Sequence, residues 1–95
     1  MMSTPYIAGP WGHDRRIIFA DGAAIAEVFS GACRNLAEAD ATERLIAAAP
    51  DLFEAARAAE ALLTRQRFRA DEFSPEGVLL QALRKAIAKV EGGTK

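Results

Sequence analysis

The most chemically distinctive stretch of the sequence is a basic segment in its second half. It consists of Arg65, Gln66, Arg67, Phe68 and Arg69. Arginine binds phosphates and carboxylates, and an aromatic ring can stack on a nucleic-acid base. A phosphate backbone and an acidic protein surface are therefore both possible partners. A structural role is favoured, in which the arginines end a helix and pair with Asp71 and Glu72, because three arginines neutralise few phosphates.

The single histidine and the single cysteine, His13 and Cys33, are the residues that could supply a base and a nucleophile. Their spacing does not match a nucleophile–base pair, and there is no second histidine for a metal site. No glycine pattern is typical of a phosphate-binding loop. Cys33 is better interpreted as a small apolar filler, and one cysteine closes no intrachain disulfide. We therefore expect a protein that is not an enzyme and has no catalytic residue, metal site or cofactor.

The single tryptophan, Trp11, lies among turn-forming residues rather than on an amphipathic stripe. It could be an exposed anchor for a partner, since tryptophan often dominates interfaces. The favoured alternative is that its ring closes the core under a hairpin. Together with the basic segment it completes the set of candidate partner-binding residues, which are Trp11, Arg65, Arg67, Phe68 and Arg69.

Length, composition and charge limit the classes of protein that the chain can belong to. It has 95 residues, 51% hydrophobic and 26% charged, with a formal net charge of −1. This size predicts a single domain over residues 1–95 with a small core, so a homodimer is a second expectation. The net charge argues against a general electrostatic binder of nucleic acid or membranes. The sequence contains neither a secretory signal nor a membrane span, which favours a cytoplasmic protein.

The beginning of the chain predicts an irregular segment over residues 1–14, because prolines and glycines interrupt any regular element. A β-hairpin is predicted over residues 15–29, since two β-compatible runs flank Asp21-Gly22, a dipeptide typical of tight turns. One face of this hairpin carries isoleucines and needs a cover, which only the helices can provide.

The register of the hairpin has two solutions. A two-residue loop pairs Ile18 with Ile25, and a three-residue loop pairs Ile17 with Ile25. Both place an arginine opposite Glu27, so the charge pattern does not choose between them.

The remainder of the chain, residues 32–91, predicts about three helices. Either Asn35 or Asp40 can cap the first, because each precedes an acidic residue by three positions. Pro50 would cost about 3 kcal/mol inside a helix but almost nothing in a first turn. We therefore expect one helix to end near Ala49 and the next to start at Pro50, with a single kinked helix as the alternative.

The second helix is expected to run to about Phe68. Ser74 is a suitable N-cap for the third, with Pro75 at its first position. Gly92-Gly93 should end this helix, and the tail over residues 92–95 should fray.

Apolar residues recur at helical spacing in all three helices, and we expect these positions to form the core. They are Leu45, Ile46 and Ala49 with Ala41 and Ala48 in the first helix, Leu52, Ala56, Ala59 and Leu63 with Phe53 and Leu62 in the second, and Leu79, Leu83, Ala86 and Val90 with Leu80 and Ile87 in the third. The side of the second helix expected to face away carries Glu54, Arg57, Glu60 and Thr64. Phe73, directly before Ser74, is expected to pack back on the third helix as a hydrophobic staple.

The span from Asp40 to Ala56, D-A-T-E-R-L-I-A-A-A-P-D-L-F-E-A-A, resembles a signature of small proteins from tailed phages and prophages, approximately A-N-A-R-L-I-A-A-A-P-D-L-L-E-A-L. The segment from Ile17 to Ala26 and the Pro10-Trp11 pair also fit this group. The sequence departs from the pattern at Thr42, Glu43, Phe53 and Ala56. The resemblance implies a bacterial host cytoplasm as location and brings no catalytic residues. It also implies a mode of action, because small phage accessory proteins often bind a host or phage protein, and some block host defence complexes.

Three functional hypotheses follow for this α+β chain, in which a β-hairpin packs on about three helices. The first is a non-catalytic phage or prophage accessory protein that binds a host or phage protein, in its sharpest form an inhibitor of a host defence complex. The second is a nucleic-acid-associated module that uses Arg65, Arg67 and Arg69. The third is a self-assembling structural component.

Overall fold

The computed structural model describes residues 6–71 and 73–92, and its fold is α+β, as predicted. The elements are β1 (Trp11–Asp14), β2 (Ile17–Ala20), β3 (Ala23–Glu27), a 3-10 turn (Ser30–Ala32), α1 (Leu36–Ala47), α2 (Ala49–Arg65) and α3 (Pro75–Val90). The strands form one antiparallel sheet in the order β1-β2-β3. The chain divides into two compact units, of which the first ends at Leu52 and the second begins at Phe53.

The predicted hairpin is present as β2 and β3, and its turn is Asp21-Gly22. Both turn residues have positive φ, 52° and 80°, as a two-residue turn of this kind requires. The predicted two-residue loop is correct next to the turn, where Phe19 pairs with Ala24 and Ala20 with Ala23. The predicted pair of Ile18 and Ile25 does not form, however, because the pairing shifts by one residue between Ile18 and Phe19. The bulge leaves Ile25 without a partner in the ladder, so Ile18 lies opposite Ala26.

The prediction of an irregular segment over residues 1–14 is wrong for its last four residues, which form β1. This strand pairs with β2 from Trp11 opposite Ala20 to Asp14 opposite Ile17. It is an edge strand, where a glycine such as Gly12 is tolerated. Its two-residue connection to β2, Arg15-Arg16, contains no glycine, so the usual sequence signal for a hairpin is absent.

The first helix covers the sheet. α1 packs against β1 and β2, and Ile18 is completely buried. Of the two predicted N-caps the structure uses Asn35, whose side chain accepts a hydrogen bond from the Glu38 backbone at 2.8 Å.

The predicted apolar side of α1 is wrong for Ala41 and Leu45, which are exposed, although Ile46 is half-buried. The side of α1 that faces the core is a different one. Its buried residues are Ala39, Glu43 and Ala47, whereas Leu45 is exposed. Small residues on the face toward the sheet allow a close approach, which brings the longer Glu43 side chain onto the β1–β2 turn.

The predicted break at Pro50 is confirmed and lies slightly earlier in the chain. α1 ends at Ala47 and α2 begins at Ala49, so a single residue separates them. The amide of Ala48 donates to the Arg44 carbonyl at 3.0 Å, and its carbonyl accepts from the Leu52 amide at 2.9 Å. Pro50 is therefore in the first turn of α2, where its missing N–H costs little.

Within the second unit, α2 and α3 run antiparallel. Arg57 in the middle of α2 pairs with Glu91 just after the end of α3, and Glu60 further along α2 pairs with Arg84, which lies earlier in α3. Arg84 also donates to Thr64 at 3.1 Å. The expectation that this polar side of α2 faces away is therefore wrong, because three of its four residues hold the two helices together.

The ends of both helices have well-defined caps. α2 ends at Arg65, three residues before the predicted end, and Arg67 follows with a φ of 68°. The amide of Phe68 donates to the Leu63 carbonyl at 3.1 Å, and that of Arg67 to the Thr64 carbonyl at 2.9 Å, the hydrogen bonds of a Schellman motif.

The caps predicted for α3 are confirmed where the structure describes them. Ser74 accepts from the Gly77 amide at 3.1 Å, Pro75 is the first helical residue, and Gly92 follows the helix with a φ of 82°. Gly93 and the rest of the predicted frayed tail lie outside the described residues.

Each helix of the second unit carries more apolar surface than the structure buries. Leu80 is buried, and Leu83 and Ile87 are half-buried. In contrast, three positions of α3 that were expected in the core, Leu79, Ala86 and Val90, are exposed. In α2 the residues Phe53, Ala56, Ala59 and Leu63 are half-buried, whereas Leu52 and Leu62 are exposed.

The contact between Gly9 and Pro50 yields a prediction on stability. A Cβ added at Gly9 would lie 2.7 Å from the Cβ of Pro50, inside van der Waals contact with a ring that cannot rotate away. Gly9→Ala should therefore lower the free energy of unfolding by about 1–3 kcal/mol, measured by urea denaturation. The matched control is Gly12→Ala, where no atom lies within 4 Å. Equal stability of the two variants would contradict this packing.

Candidate functional site

The arginine-rich segment lies at the end of α2 and in the loop that follows it, residues 66–74. Arg65 is the last helical residue, and the side chains of all three arginines are exposed. The Arg69 guanidinium donates to the Asp71 carboxylate at 3.1 and 2.9 Å, which confirms one of the two predicted pairs. Glu72, the other predicted acid, lies outside the described residues. Both members of the Arg69–Asp71 pair are mostly exposed, so the pair contributes little stability.

Two phenylalanines flank this loop and differ in exposure. Phe68 is half-buried, whereas Phe73 is fully exposed, at 101% of its reference surface. The prediction that Phe73 forms a hydrophobic staple is wrong. The partner that a staple requires at the fourth helical position, Val78, is itself 54% exposed. No local sequence signal distinguishes a staple from an exposed ring, and Phe68 stays a candidate contact residue.

Trp11, the remaining candidate, lies at the start of β1 in the first unit, whereas the arginines belong to the second. Its ring is half-buried, and its indole N–H donates to the Ile7 carbonyl at 3.1 Å. A donor that already has an intramolecular partner leaves only the ring face for an external contact. Trp11 stays a candidate contact residue.

A buried polar cluster that the sequence analysis did not identify connects α1 to the β1–β2 turn. Glu43, which is 5% exposed, accepts hydrogen bonds at both carboxylate oxygens. Its Oε1 accepts from the Arg16 backbone amide at 2.8 Å and from the Arg16 guanidinium at 3.2 Å, and its Oε2 accepts from His13 Nδ1 at 2.5 Å. Arg16 also binds Asp40 at 2.5 Å.

These contacts set the electrostatics of the cluster. The hydrogen bond from His13, reinforced by those from Arg16, holds the pKa of Glu43 below its ordinary value, although burial acts in the opposite direction. Asp40 and then Glu43 raise the pKa of Arg16. Because a carboxylate only accepts hydrogen bonds, His13 must carry a proton on Nδ1.

An imidazole oriented by a carboxylate is a common part of catalytic sites, so the surroundings of His13 decide how this cluster is interpreted. The candidate nucleophile, Cys33, donates to the Phe29 carbonyl at 3.7 Å and has no contact with His13 among the hydrogen bonds of the described residues. In residues 6–71 and 73–92, no group of three or more histidine, cysteine, aspartate or glutamate side chains is arranged to hold a metal ion. The cluster has a clear structural role, and the absence of enzymatic activity stays a prediction.

Comparison with protein families identifies the chain. Residues 2–94 match the family model of the Salmonella phage P22 protein Y8K6, so the chain belongs to that family. This match confirms the broader expectation of a small phage protein family. No curated protein and no solved structure shows significant similarity to the chain. None of the helices in the described part of the chain has the length and apolar character needed to cross a membrane.

The Glu43 cluster predicts how stability depends on pH. The pKa of Glu43 is lower in the folded chain than its ordinary value of 4.5. Its contribution to stability is therefore complete above that value and is lost as the pH falls through the lowered pKa. Glu43→Gln should lower the Tm by on the order of 10 °C at pH 7, and the difference from the original chain should shrink towards pH 3.

Glu60→Gln is the matched control. The hydrogen bonds from Thr64 and Arg84 also lower the pKa of Glu60, but this side chain is more exposed, so its replacement should change the Tm by only a few degrees. Thermal unfolding followed by circular dichroism measures both variants. A Tm difference between the original chain and Glu43→Gln that stays constant from pH 7 to pH 3 would exclude this role.

Proposed function

We propose that this member of the phage P22 Y8K6 family is a non-catalytic accessory protein that acts by binding another protein. The contact is made by the end of α2 and the loop that follows it, through residues 65–71 and 73. The observation that carries the proposal is the complete exposure of Phe73 in a loop that also presents three exposed arginines. Aromatic residues and arginine are the types that dominate binding energy at protein interfaces. A fully exposed ring gains apolar burial when a partner covers it.

The charge of the loop indicates the chemistry of the partner. Asp71 already pairs with Arg69, which leaves Arg65 and Arg67 as cations with no ion pair among those of the described residues. A protein surface with an apolar pocket and an acidic rim is complementary to this arrangement, because the ring can fill the pocket while the arginines meet the rim.

A nucleic acid fits the same loop less well. Phe68, the ring that was expected to stack on a base, is half-buried. An acidic residue, Asp71, follows the basic segment and pairs with Arg69. The chain as a whole has a net charge of −1. Affinity for a phosphate backbone depends on the number of phosphates that are neutralised, and two or three arginines supply little of it.

Capture of partners tests the proposal. The tagged chain is incubated with lysate of a Salmonella host, treated with nuclease, and bound proteins are identified by mass spectrometry. Phe73→Ala should reduce recovery of the specific partner about tenfold or more. A second variant combines Arg65→Ala, Arg67→Gly and Arg69→Ala, and should reduce recovery similarly. Glycine is used at Arg67 because this residue has a φ of 68°.

Phe29→Ala provides the matched control, since Phe29 is 73% exposed but belongs to the first unit. It should leave recovery unchanged. Recovery that survives both loop variants would refute the proposed contact. Recovery that disappears on nuclease treatment would instead support the nucleic-acid hypothesis.

The sharpest form of the proposal is inhibition of a host defence complex, and its support is the phage family alone. Expression of the chain should then raise the plating efficiency of a phage that the defence system restricts. Phe73→Ala should abolish the increase, and Phe29→Ala should retain it. Equal plating with and without the chain, across hosts that carry different defence systems, would contradict this form of the proposal.

A further inference from the structure

The exposed apolar residues of the second unit follow a regular pattern. In α2 and α3, each of several exposed apolar residues directly precedes one that is buried or half-buried. The pairs are Ala55 and Ala56, Leu62 and Leu63, Leu79 and Leu80, and Ala86 and Ile87. Because successive helical residues are separated by 100°, each helix carries a second apolar stripe about a quarter turn from the stripe that packs.

These two stripes lie on the same side of the helix pair. One step backward along a helix is a rotation of fixed sense about its own axis. Because α2 and α3 are antiparallel, the two rotations have opposite senses when viewed from one end. The packed faces of α2 and α3 point at each other. A rotation from each packed face, in opposite senses, therefore brings both exposed stripes to the same side of the helix pair. The result is a continuous apolar face built from Ala55, Leu62, Leu79, Ala86 and Val90, here called the second face.

At one end of the helix pair, a charged residue borders the second face on each side. One further step back from the stripe lie Glu54 on α2 and Lys89 on α3. Glu54 is close to the beginning of α2 and Lys89 to the end of α3, so they lie at the same end of the antiparallel pair. Neither takes part in an ion pair or hydrogen bond between side chains in the described part of the chain.

We propose that the second face binds a second copy of this chain, and that the two copies form a symmetric four-helix bundle. The carrying argument is charge complementarity. A two-fold axis parallel to the helices places the α2 of one copy over the α3 of the other, at the same height. The Glu54 of each copy then meets the Lys89 of its partner, and this contact occurs twice because the interface is isologous.

The size of the second face sets the strength of the dimer. A helix of about 16 residues is about 24 Å long, and two packed helices are about 20 Å wide. Two copies would thus cover on the order of 1,000 Å² in total, the lower limit of a specific interface. An interface at this lower limit is typical of weak association, so we expect the dimer to form only at high protein concentration.

Sedimentation equilibrium of the full chain tests the dimer. The original chain should change from monomer to dimer between about 1 and 500 µM, the range that brackets a weak interface. Replacing both Leu62 and Leu79 by glutamate should weaken association by at least about tenfold, because it buries unpaired charges. The matched control is Leu45→Glu on α1, since Leu45 is 62% exposed but belongs to the first unit. It should leave association unchanged.

A charge swap tests the arrangement of the two copies and depends only on exposed residues. Glu54→Lys and Lys89→Glu should each weaken association about fivefold, since each places like charges together. The variant that carries both changes should recover to within about threefold of the original chain, since the pairs are restored with reversed sign. A chain that is monomeric at about 500 µM would overturn the dimer. Dimers that respond to Leu45→Glu, or for which the swap restores nothing, would overturn the second face or its pairing.

Discussion

The attachment of the sheet to α1 depends on one buried carboxylate meeting one tight turn. Arg15 and Arg16 both have positive φ, 51° and 73°, a conformation that costs roughly 1–2 kcal/mol for each residue with a side chain. Glu43 offsets this cost by accepting both the turn's backbone amide and the Arg16 guanidinium. β1 can pair with β2 only if this turn closes. Glu43, a residue of α1, thus makes a tight turn with positive φ possible, as Gly22 does in the neighbouring hairpin.

The parts of the fold that local chemistry determines were predictable. Asp21-Gly22 has the φ values that its residue types favour, Asn35 and Ser74 cap helices through their own side chains, and Pro50 forces a break because it lacks an N–H. The β1 strand was not predictable, because its turn is stabilised by a side chain 27 residues away. The bulge at Ile25 was not predictable either, because the register of a strand depends on the residues that cover the sheet, which are distant in the sequence.

Which face of each helix is buried could not be predicted from the sequence for a different reason. Alanine-rich helices carry apolar residues around much of their circumference, so periodicity permits two stripes about a quarter turn apart. The polar residues determine which of the two stripes is buried. Arg57 and Glu60 pair with residues of α3, so the apolar stripe next to them faces α3. Of the candidate site, the Arg69–Asp71 pair was predictable because the residues are two apart. The exposure of Phe73 was not, because it depends on a contact with Val78 that does not form.

Surplus apolar surface connects this fold to a binding role. A chain of 95 residues gains only a few kcal/mol of net stability from its core, and alanine contributes little to it. Exposed residues such as Leu62, Leu79 and Phe73 contribute nothing to that core, yet their side chains still gain free energy when water is removed from them. That gain is available only through association. The proposed association would therefore use apolar surface that the fold itself leaves exposed to water.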